Sequence, residues 1–183
     1  VIDPKSGNIV AKIKVGIEPE GVSISPDGST IVVTSESSNM AHFISSSDYT
    51  ITKNVLVGAR PRASCFSREG KFVFVTSEIS GEIYKILVSD GSIADKLSLP
   101  NELAKPKDII LGGDGKTLYV AGGRANMIYA IDSDKMEVTN TIGVGRRVWG
   151  LALSTSGQFL FTTDGLDHQI SVIDTNNQSV KTT

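Results

Sequence analysis

The chain has 183 residues, of which 39% are hydrophobic and 21% charged, and its mean hydropathy of +0.01 is typical of a folded globular protein rather than a disordered one. Its net charge of −2 argues against a nucleic-acid-binding protein or a polybasic membrane binder. The single cysteine, Cys65, excludes an internal disulfide and a multi-cysteine zinc site, and no apolar run is long enough to span a bilayer.

Three markers recur along the chain at a spacing of about 42 residues. Glycines that end short polar turns are 42, 45 and 42 residues apart, at Gly28, Gly70, Gly115 and Gly157. Isoleucines that begin Ile-Asp or similar pairs keep the same rhythm, at Ile2, Ile44, Ile86, Ile131 and Ile173. Val-Gly pairs follow at Val15, Val57 and Val144. Three markers in phase over the whole chain indicate a structural repeat.

Each repeat is predicted to contain four short β-strands. In the second repeat these are residues 63–67, 71–76, 82–87 and 93–99, which we name strands A to D. The turns between them end in glycine, which supplies the positive φ of a tight hairpin. No segment has a sustained 3.6-residue apolar period, so no long helix is expected.

Strand B is apolar on nearly consecutive positions in every repeat, so both of its faces must be covered. Four-stranded antiparallel sheets stacked face to face around an axis meet this requirement, and the period is that of a β-propeller. We expect an all-β propeller of about four blades. Its predicted parts are residues 1–16 (strand D of a preceding blade), 17–58, 59–100, 101–145 and 146–183 (a blade lacking most of strand D).

Specific motifs resemble a known class of propellers. The strand-B endings at residues 33–35, 75–77 and 119–122 are similar to the Tyr-Val-Thr-Asn pattern of YVTN repeats. The runs at residues 39–43 (Asn-Met-Ala-His-Phe) and 147–149 (Arg-Val-Trp) resemble the PQQ-dependent catabolism-associated β-propeller family.

That resemblance implies a ring of about seven blades, so further blades would come from the same chain or another copy. A single four-bladed ring is the alternative. It also implies a periplasmic or secreted protein without established catalysis, although this chain has no signal peptide. The implied partners are quinoprotein dehydrogenases and c-type cytochromes. PQQ would be the cofactor of the associated enzyme, with no cofactor assigned to this chain.

Candidate binding residues lie in the D-to-A and B-to-C loops, which share one face of a propeller. They comprise Glu36, Arg60, Arg62, Glu78, Arg124, Arg146, Arg147 and Trp149. Guanidinium groups bind carboxylate or phosphate in a bidentate manner, so a small anion or an acidic protein surface would fit. The alternative is an inter-blade ring of ion pairs with Glu36, Glu78 and Asp164. Trp149 is either an anchor for a partner or a plug of the channel.

For three other sets of chemically reactive residues, the sequence favours a structural role over a functional one. Met40 and His42 share a strand face and are expected to pack rather than bind haem or copper. Cys65 is expected to be a buried, inert thiol. His168 is expected in a solvated loop beside Asp164 and Asp167, and no serine nucleophile motif accompanies it. The sequence therefore predicts neither a catalytic residue nor a metal site.

The function predicted from these observations is a non-enzymatic binding or scaffold propeller, accessory to PQQ-dependent alcohol oxidation. Two alternatives stay open at this point. One is a propeller subunit of a quinoprotein or amine dehydrogenase-type redox complex, and the other is a cell-surface adhesion module.

Overall fold

The computed structural model describes residues 1–183 and contains four antiparallel sheets and no helix. Blade 1 consists of β1 (Pro19–Ile24), β2 (Thr30–Ser35), β3 (Met40–Ser45) and β4 (Ile51–Leu56). Blade 2 consists of β5 (Pro61–Phe66), β6 (Phe72–Ser77), β7 (Glu82–Leu87) and β8 (Ile93–Ser98). Blade 3 consists of β9 (Ile109–Leu111), β10 (Thr117–Ala121), β11 (Met127–Asp132) and β12 (Glu137–Gly143). Blade 4 consists of β13 (Val148–Leu153), β14 (Phe159–Asp164), β15 (Gln169–Asp174) and β16 (Ser179–Thr182).

Every blade is a meander in which each strand pairs with the next one along the chain. The hairpin between the first two strands closes at a glycine with φ between 69° and 74°, a conformation that glycine adopts without steric cost. These turn glycines are Gly28, Gly70, Gly115 and Gly157. The first strands of blades 1, 2 and 4 also carry a register shift near their beginning, which bends the chain where it enters the centre of the propeller.

The hydrophobic core consists of three layers, one between each pair of successive blades. Phe43 of blade 1 and Val73 of blade 2 lie in the first layer. Phe74 of blade 2 and Leu118 of blade 3 lie in the second, and the third joins blade 3 to Leu160 of blade 4. Adjacent residues of one strand thus serve two different layers. Because burying each such side chain contributes about 1.5–3 kcal/mol, this stacking explains why strand B is apolar on both faces.

The first strands of the blades surround the propeller axis, because β1, β5, β9 and β13 contact one another in turn. The last strands lie outermost, and most of their side chains are exposed. Loops that lead into the first strands therefore end beside the axis. This arrangement confirms the predicted all-β propeller of about four four-stranded antiparallel blades. The last blade, expected to lack most of strand D, has the four-residue strand β16 paired with β15.

The two ends of the stack differ from its interior. Residues 1–16, expected to supply strand D of a preceding blade, contain one isolated bridge between Ile2 and Ile9 and no strand. A continuous strand needs a paired neighbour along its length. Val10 and Ala11 bond only to Val1, and residues 12–15 form no backbone hydrogen bond with another segment. The outward face of blade 1 leaves Val22 and Ile24 exposed, and blade 4 leaves Ile170 exposed. The structure has no helix long and apolar enough to cross a membrane.

Close approach of blades 1 and 2 depends on Gly21. A Cβ atom at this position would lie 2.3 Å from the carbonyl oxygen of Arg62 and 3.0 Å from the Cα of Ala63. Gly21→Ala is therefore expected to destabilise the fold by about 1–3 kcal/mol, as overpacking does elsewhere. Gly143→Ala is the control, since nothing lies within 4 Å of a Cβ there. Chemical denaturation of both variants measures the difference, and equal stability would contradict the tight packing at Gly21.

Candidate functional site

Equivalent positions of the four blades bring four chemically different side chains to one end of the axis. Each lies eight residues before the turn glycine of its blade, at or just before the first strand. Because the blades are related by rotation, equivalent residues form a ring. We call this set the mouth ring, and it comprises Glu20, Arg62, Lys107 and Trp149.

Arg62 is the centre of an ion-pair network. Its Nη1 lies 2.8 Å from Glu20 Oε1 and 2.7 Å from Glu36 Oε2, and its Nε donates to Glu78 Oε2 at 2.6 Å. The side chains of Arg62, Glu36 and Glu78 are only 10–11% exposed. Arg60 pairs with Glu36 and lies 3.5 Å from Glu78. The network thus joins the B-to-C loops of blades 1 and 2, which carry Glu36 and Glu78, to the first strand of blade 2.

Glu78 extends the network to blade 3 by pairing with Lys107. Burial alone would raise the pKa of Glu78, but hydrogen bonds from Lys107 and Arg62 outweigh it and lower that pKa below the ordinary value of 4.5. Burial lowers the pKa of Lys107, and the nearby charges of Arg62 and Arg60 lower it further. Glu78 has the opposite effect on this pKa but does not outweigh them. Four of the predicted binding residues therefore tie blades together, as the ion-pair alternative proposed.

Three cationic side chains lie around the Trp149 ring at the edge of this network. The centroid of the Trp149 ring lies 4.1 Å from Lys107 Nζ, 5.6 Å from the guanidinium carbon of Arg147 and 5.7 Å from that of Arg62. These distances are within the range of cation–π attraction. Trp149 is also 42% exposed, so part of the ring is open to a ligand.

A cavity of about 260 Å³ opens at the axis beside the mouth ring. Its charged and aromatic walls are Glu20, Arg62, Lys107, Asp108 and Trp149, and its other lining residues are Gly21, Val22, Ala63 and Ser64. The volume of this hub cavity is just below the usual range of ligand pockets. The ring of Trp149 gives the cavity an apolar wall, and the positively charged side chains of Arg62 and Lys107 carry hydrogen-bond donors.

Asp108 is a cavity residue that the sequence analysis missed. Its Oδ1 accepts a hydrogen bond from the amide of Ile109 at 2.9 Å, and its Oδ2 accepts one from the amide of Leu151 in blade 4 at 2.8 Å. Burial raises the pKa of the Asp108 carboxyl above its ordinary value, although both amide bonds oppose the shift. A signal was present in the repeat, since the equivalent residues Gly21, Ala63 and Gly150 are all small.

The remaining predicted arginines lie apart from the network, in what we call the open corner: Arg124, Arg146 and Arg147. They line a depression of about 320 Å³ together with Asn126 and Leu166. Arg146 pairs with Asp167 at 2.6 Å, whereas neither Arg124 nor Arg147 forms an ion pair.

Repeat positions explain this lack of partners. Gly123 and Gly165 stand where blades 1 and 2 have Glu36 and Glu78, so no carboxylate reaches the Arg147 guanidinium. Asp164, expected as a partner, is buried and accepts from Thr162 and Ser171 instead.

Backbone geometry fixes the base of Arg147. The residue has a φ of 57°, a left-handed conformation that is uncommon for a long side chain. Its amide donates to Asn126 Oδ1 at 2.8 Å, and the same device recurs where the Arg60 amide donates to Asn39 Oδ1 at 3.1 Å. The starting point of the Arg147 side chain is therefore fixed while its guanidinium stays available.

The other sequence candidates have structural surroundings. His42 is 5% exposed; its Nε2 accepts the amide of Gly16 at 3.0 Å, and its Nδ1 lies 2.6 Å from Asn54 Oδ1. An acceptor Nε2 requires the proton on Nδ1, which donates to Asn54. Burial raises the pKa of the Cys65 thiol, so it is a poor nucleophile. No group of three or more His, Cys, Asp or Glu side chains is placed to hold a metal ion.

The lowered pKa of Glu78 predicts a specific dependence of stability on pH. Its stabilising contribution is complete above the ordinary glutamate pKa and is lost as the pH falls through the lowered value. Glu78→Gln should lose about 3 kcal/mol at pH 7, because Lys107 and Arg62 lose a buried partner. It should also lose less stability than the parent chain between pH 5 and pH 3.

Denaturation at several pH values measures both effects. Glu69→Gln is the matched control, since Glu69 is exposed in an A-to-B turn and has no ion pair. Parallel curves for Glu78→Gln and the parent protein would contradict a role for the Glu78 charge in stability.

Comparison with known proteins places the fold in a family. A family model described as "Lactonase, 7-bladed beta-propeller" matches residues 48–183. No curated protein matches the chain. A chain of hydrazine synthase from Kuenenia stuttgartiensis is similar in structure, with a TM-score of 0.83 and 24% identity over 96% of this chain and 52% of its own length.

Two further solved structures share the fold. The dihydro-heme d1 dehydrogenase NirN has a TM-score of 0.82 and 14% identity over 99% of this chain and 40% of its own. The virginiamycin B lyase from Staphylococcus aureus has a TM-score of 0.74 and 21% identity over 85% of this chain and 52% of its own. The chain therefore spans about half the length of these propellers, which agrees with the predicted part of a larger ring.

One expectation needs correction. The sequence motifs predicted a protein that is not an enzyme, and this is wrong, because the family that matches the chain is one of lactonases, which are enzymes. Catalytic motifs that can be recognised in a sequence join residues that are close along the chain, whereas equivalent residues of successive blades are about 42 positions apart. The resemblance to YVTN-repeat and PQQ-associated propellers stays a prediction.

Proposed function

The chain belongs to the family of seven-bladed β-propeller lactonases, and from this premise we propose that it forms the part of a propeller hub where a lactone ring is bound and opened by water. The observation that carries the proposal is the hub cavity, in which Lys107, Arg62 and the exposed part of Trp149 meet at the axis. The complete activity belongs to the whole propeller, of which this chain supplies four blades.

The chemistry of ring opening suits these side chains. When water attacks the lactone carbonyl, negative charge develops on the carbonyl oxygen, and the product retains a carboxylate. Donors fixed in advance around that oxygen lower the barrier, because they need no reorganisation during the reaction. Lys107 has three donors, of which one is directed to Glu78, so others stay available to a ligand. The indole of Trp149 offers an apolar surface for the ring itself.

The open corner favours a substrate with a second acidic group. Arg124 and Arg147 carry uncompensated positive charge, and Arg147 lies against Trp149, which also lines the hub cavity. An anionic substituent on the lactone could therefore reach guanidinium donors while the ring occupies the hub. This supports a lactone that bears a carboxylate or another oxyanion.

A narrower proposal concerns the cellular setting. Oxidation of a cyclic hemiacetal removes two electrons and gives a lactone, so an alcohol-oxidising enzyme is a chemically sensible supplier of the substrate. Motif resemblance at residues 39–43 and 147–149 supports a location beside PQQ-dependent alcohol oxidation, in the periplasm or outside the cell. Cell fractionation, with mass spectrometry of co-purifying quinoprotein dehydrogenase or c-type cytochrome, tests this proposal. Recovery in the cytoplasm without either partner would contradict it.

Lys107→Gln is expected to lower kcat/KM for lactone hydrolysis about a hundredfold, the usual effect of removing one charged donor from a developing oxyanion. Acid release from a panel of five- and six-membered lactones measures the activity of the purified protein. Lys116→Gln is the control, because Lys116 is exposed in an A-to-B turn away from the mouth ring. Equal activity of the two variants, or no ring opening by the parent protein, would count against the proposal.

Arg147→Ala tests the second acidic group. We expect KM to rise about tenfold for lactones that carry an extra carboxylate and to stay unchanged for neutral lactones, because one guanidinium contact is lost. The melting temperature should change little, since exposed Arg147 has no ion pair to lose and its contact with Trp149 is a weak one. An equal effect on charged and neutral lactones would show that Arg147 does not read substrate charge.

A further inference from the structure

One blade departs from a bonding device that the other three share. In blades 1, 2 and 4 the residue seven positions before the turn glycine is small, and a threonine on strand B accepts its amide hydrogen bond. The bonds run from Gly21 to Thr34 at 2.9 Å, from Ala63 to Thr76 at 3.0 Å and from Gly150 to Thr163 at 2.8 Å.

In two of these blades the same threonine hydroxyl also ties adjacent blades together. Thr34 donates to the carbonyl of Arg62 at 2.8 Å, and Thr76 donates to the carbonyl of Lys107 at 3.2 Å. At this backbone position a neutral hydroxyl makes the link between blades. The ion pairs of Glu36 and Glu78 join the same blades through other atoms.

Blade 3 has exchanged both members of the device. Asp108 occupies the position of the small residue, and Ala121 occupies the position of the threonine. The link to the next blade now runs from the Leu151 amide to Asp108 Oδ2 at 2.8 Å. Blade 3 is thus also linked to the next blade, with a carboxyl group in place of a hydroxyl. Burying an ionised carboxyl costs more free energy than burying a hydroxyl.

The position of the carboxyl shows what this replacement adds. Asp108 lines the hub cavity beside Lys107, Arg62 and Trp149. Each of its oxygens accepts one backbone amide, and a carboxylate oxygen can accept a second hydrogen bond. Its partial burial favours the neutral form, which makes the carboxylate a stronger base than an exposed aspartate.

We infer that Asp108 is the general base that takes a proton from the attacking water in lactone opening. This inference rests on the function proposed above. The water oxygen bonds to the carbonyl carbon as one of its protons passes to Asp108, and the carbonyl oxygen carries the negative charge beside Lys107. The ring C–O bond then breaks, and Asp108 returns the proton to the departing alkoxide. The hydroxy acid leaves, and Asp108 is again a carboxylate.

Two variants separate catalysis from blade joining. Asp108→Asn keeps the size of the side chain and one acceptor but cannot take a proton. The double variant Asp108→Ala with Ala121→Thr rebuilds the device of blade 2, in which Ala63 pairs with Thr76. Both variants are expected to lose at least a hundredfold in kcat, while the double variant keeps a melting temperature close to that of the parent protein.

Binding is measured independently through Trp149, the single tryptophan of the chain. The probe is the hydroxy acid formed by the best lactone of the panel, followed by intrinsic fluorescence. Both Asp108 variants should bind it with less than a threefold change in Kd. In the parent protein kcat/KM should rise with pH as Asp108 ionises, at a pH above the ordinary aspartate range, and this limb should be absent from Asp108→Asn.

The outcomes distinguish the two proposals. Ring opening that persists in Asp108→Asn or in the double variant overturns the role of Asp108 and leaves the lactonase function standing. A loss of activity that only parallels a loss of binding or of melting temperature in the double variant also overturns it. If the parent protein opens no lactone and its fluorescence does not respond to any hydroxy acid, the proposed function itself fails.

Discussion

The structure depends on the need to cover both faces of every interior sheet. A single four-stranded meander with an apolar central strand is not stable in water, and its second strand has no polar face to turn outward. Stacking blades resolves this, since Val73 and Phe74 pack into different layers although they are neighbours in the chain. Rotation from blade to blade follows from that stacking and brings all first strands to a common axis. The position of the candidate functional site is therefore a consequence of core packing.

Charged groups at the axis join the blades, and the proposed function gives them a second role. Glu36 and Glu78 hold Arg60, Arg62 and Lys107, and they tie the first three blades near the mouth of the channel. The same pairing fixes the positions of cations that face the hub cavity. A site built in this way is preorganised, because its donors are oriented by carboxylates that belong to neighbouring blades. Structural and functional readings of these arginines are thus compatible.

The fold could be predicted from sequence because its signals are local and repeated. Turn glycines such as Gly70 indicate the period of the repeat. The continuous apolar run of β6 indicates that both faces of the sheet are covered by neighbouring blades. The site could be predicted only as a loop face, since contacts such as that between Arg62 and Glu20 join residues of different blades. Asp108 was missed because it follows Lys107 in an unremarkable stretch of chain, and its meaning appears only when the blades are superimposed.

The enzymatic character of the family was not predicted for a related physical reason. A catalytic motif is recognisable in a sequence when its residues are close along the chain, whereas the blades of a propeller bring single side chains together from distant repeats. A full repeat separates Lys107 from Trp149 in the sequence, and yet Lys107 Nζ lies 4.1 Å from the centroid of the Trp149 ring. Distances of this kind become visible only in three dimensions.

The uneven replacement of acids by glycines gives the mouth of the channel a polarity. On the side of blades 1 and 2 each cation is neutralised, whereas Gly123 and Gly165 leave the side of blades 3 and 4 electropositive. The arc of equivalent positions formed by these four blades thereby acquires a direction. A molecule with one charged end would enter it in a single orientation, so that the same bond would always be presented to the same wall of the pore.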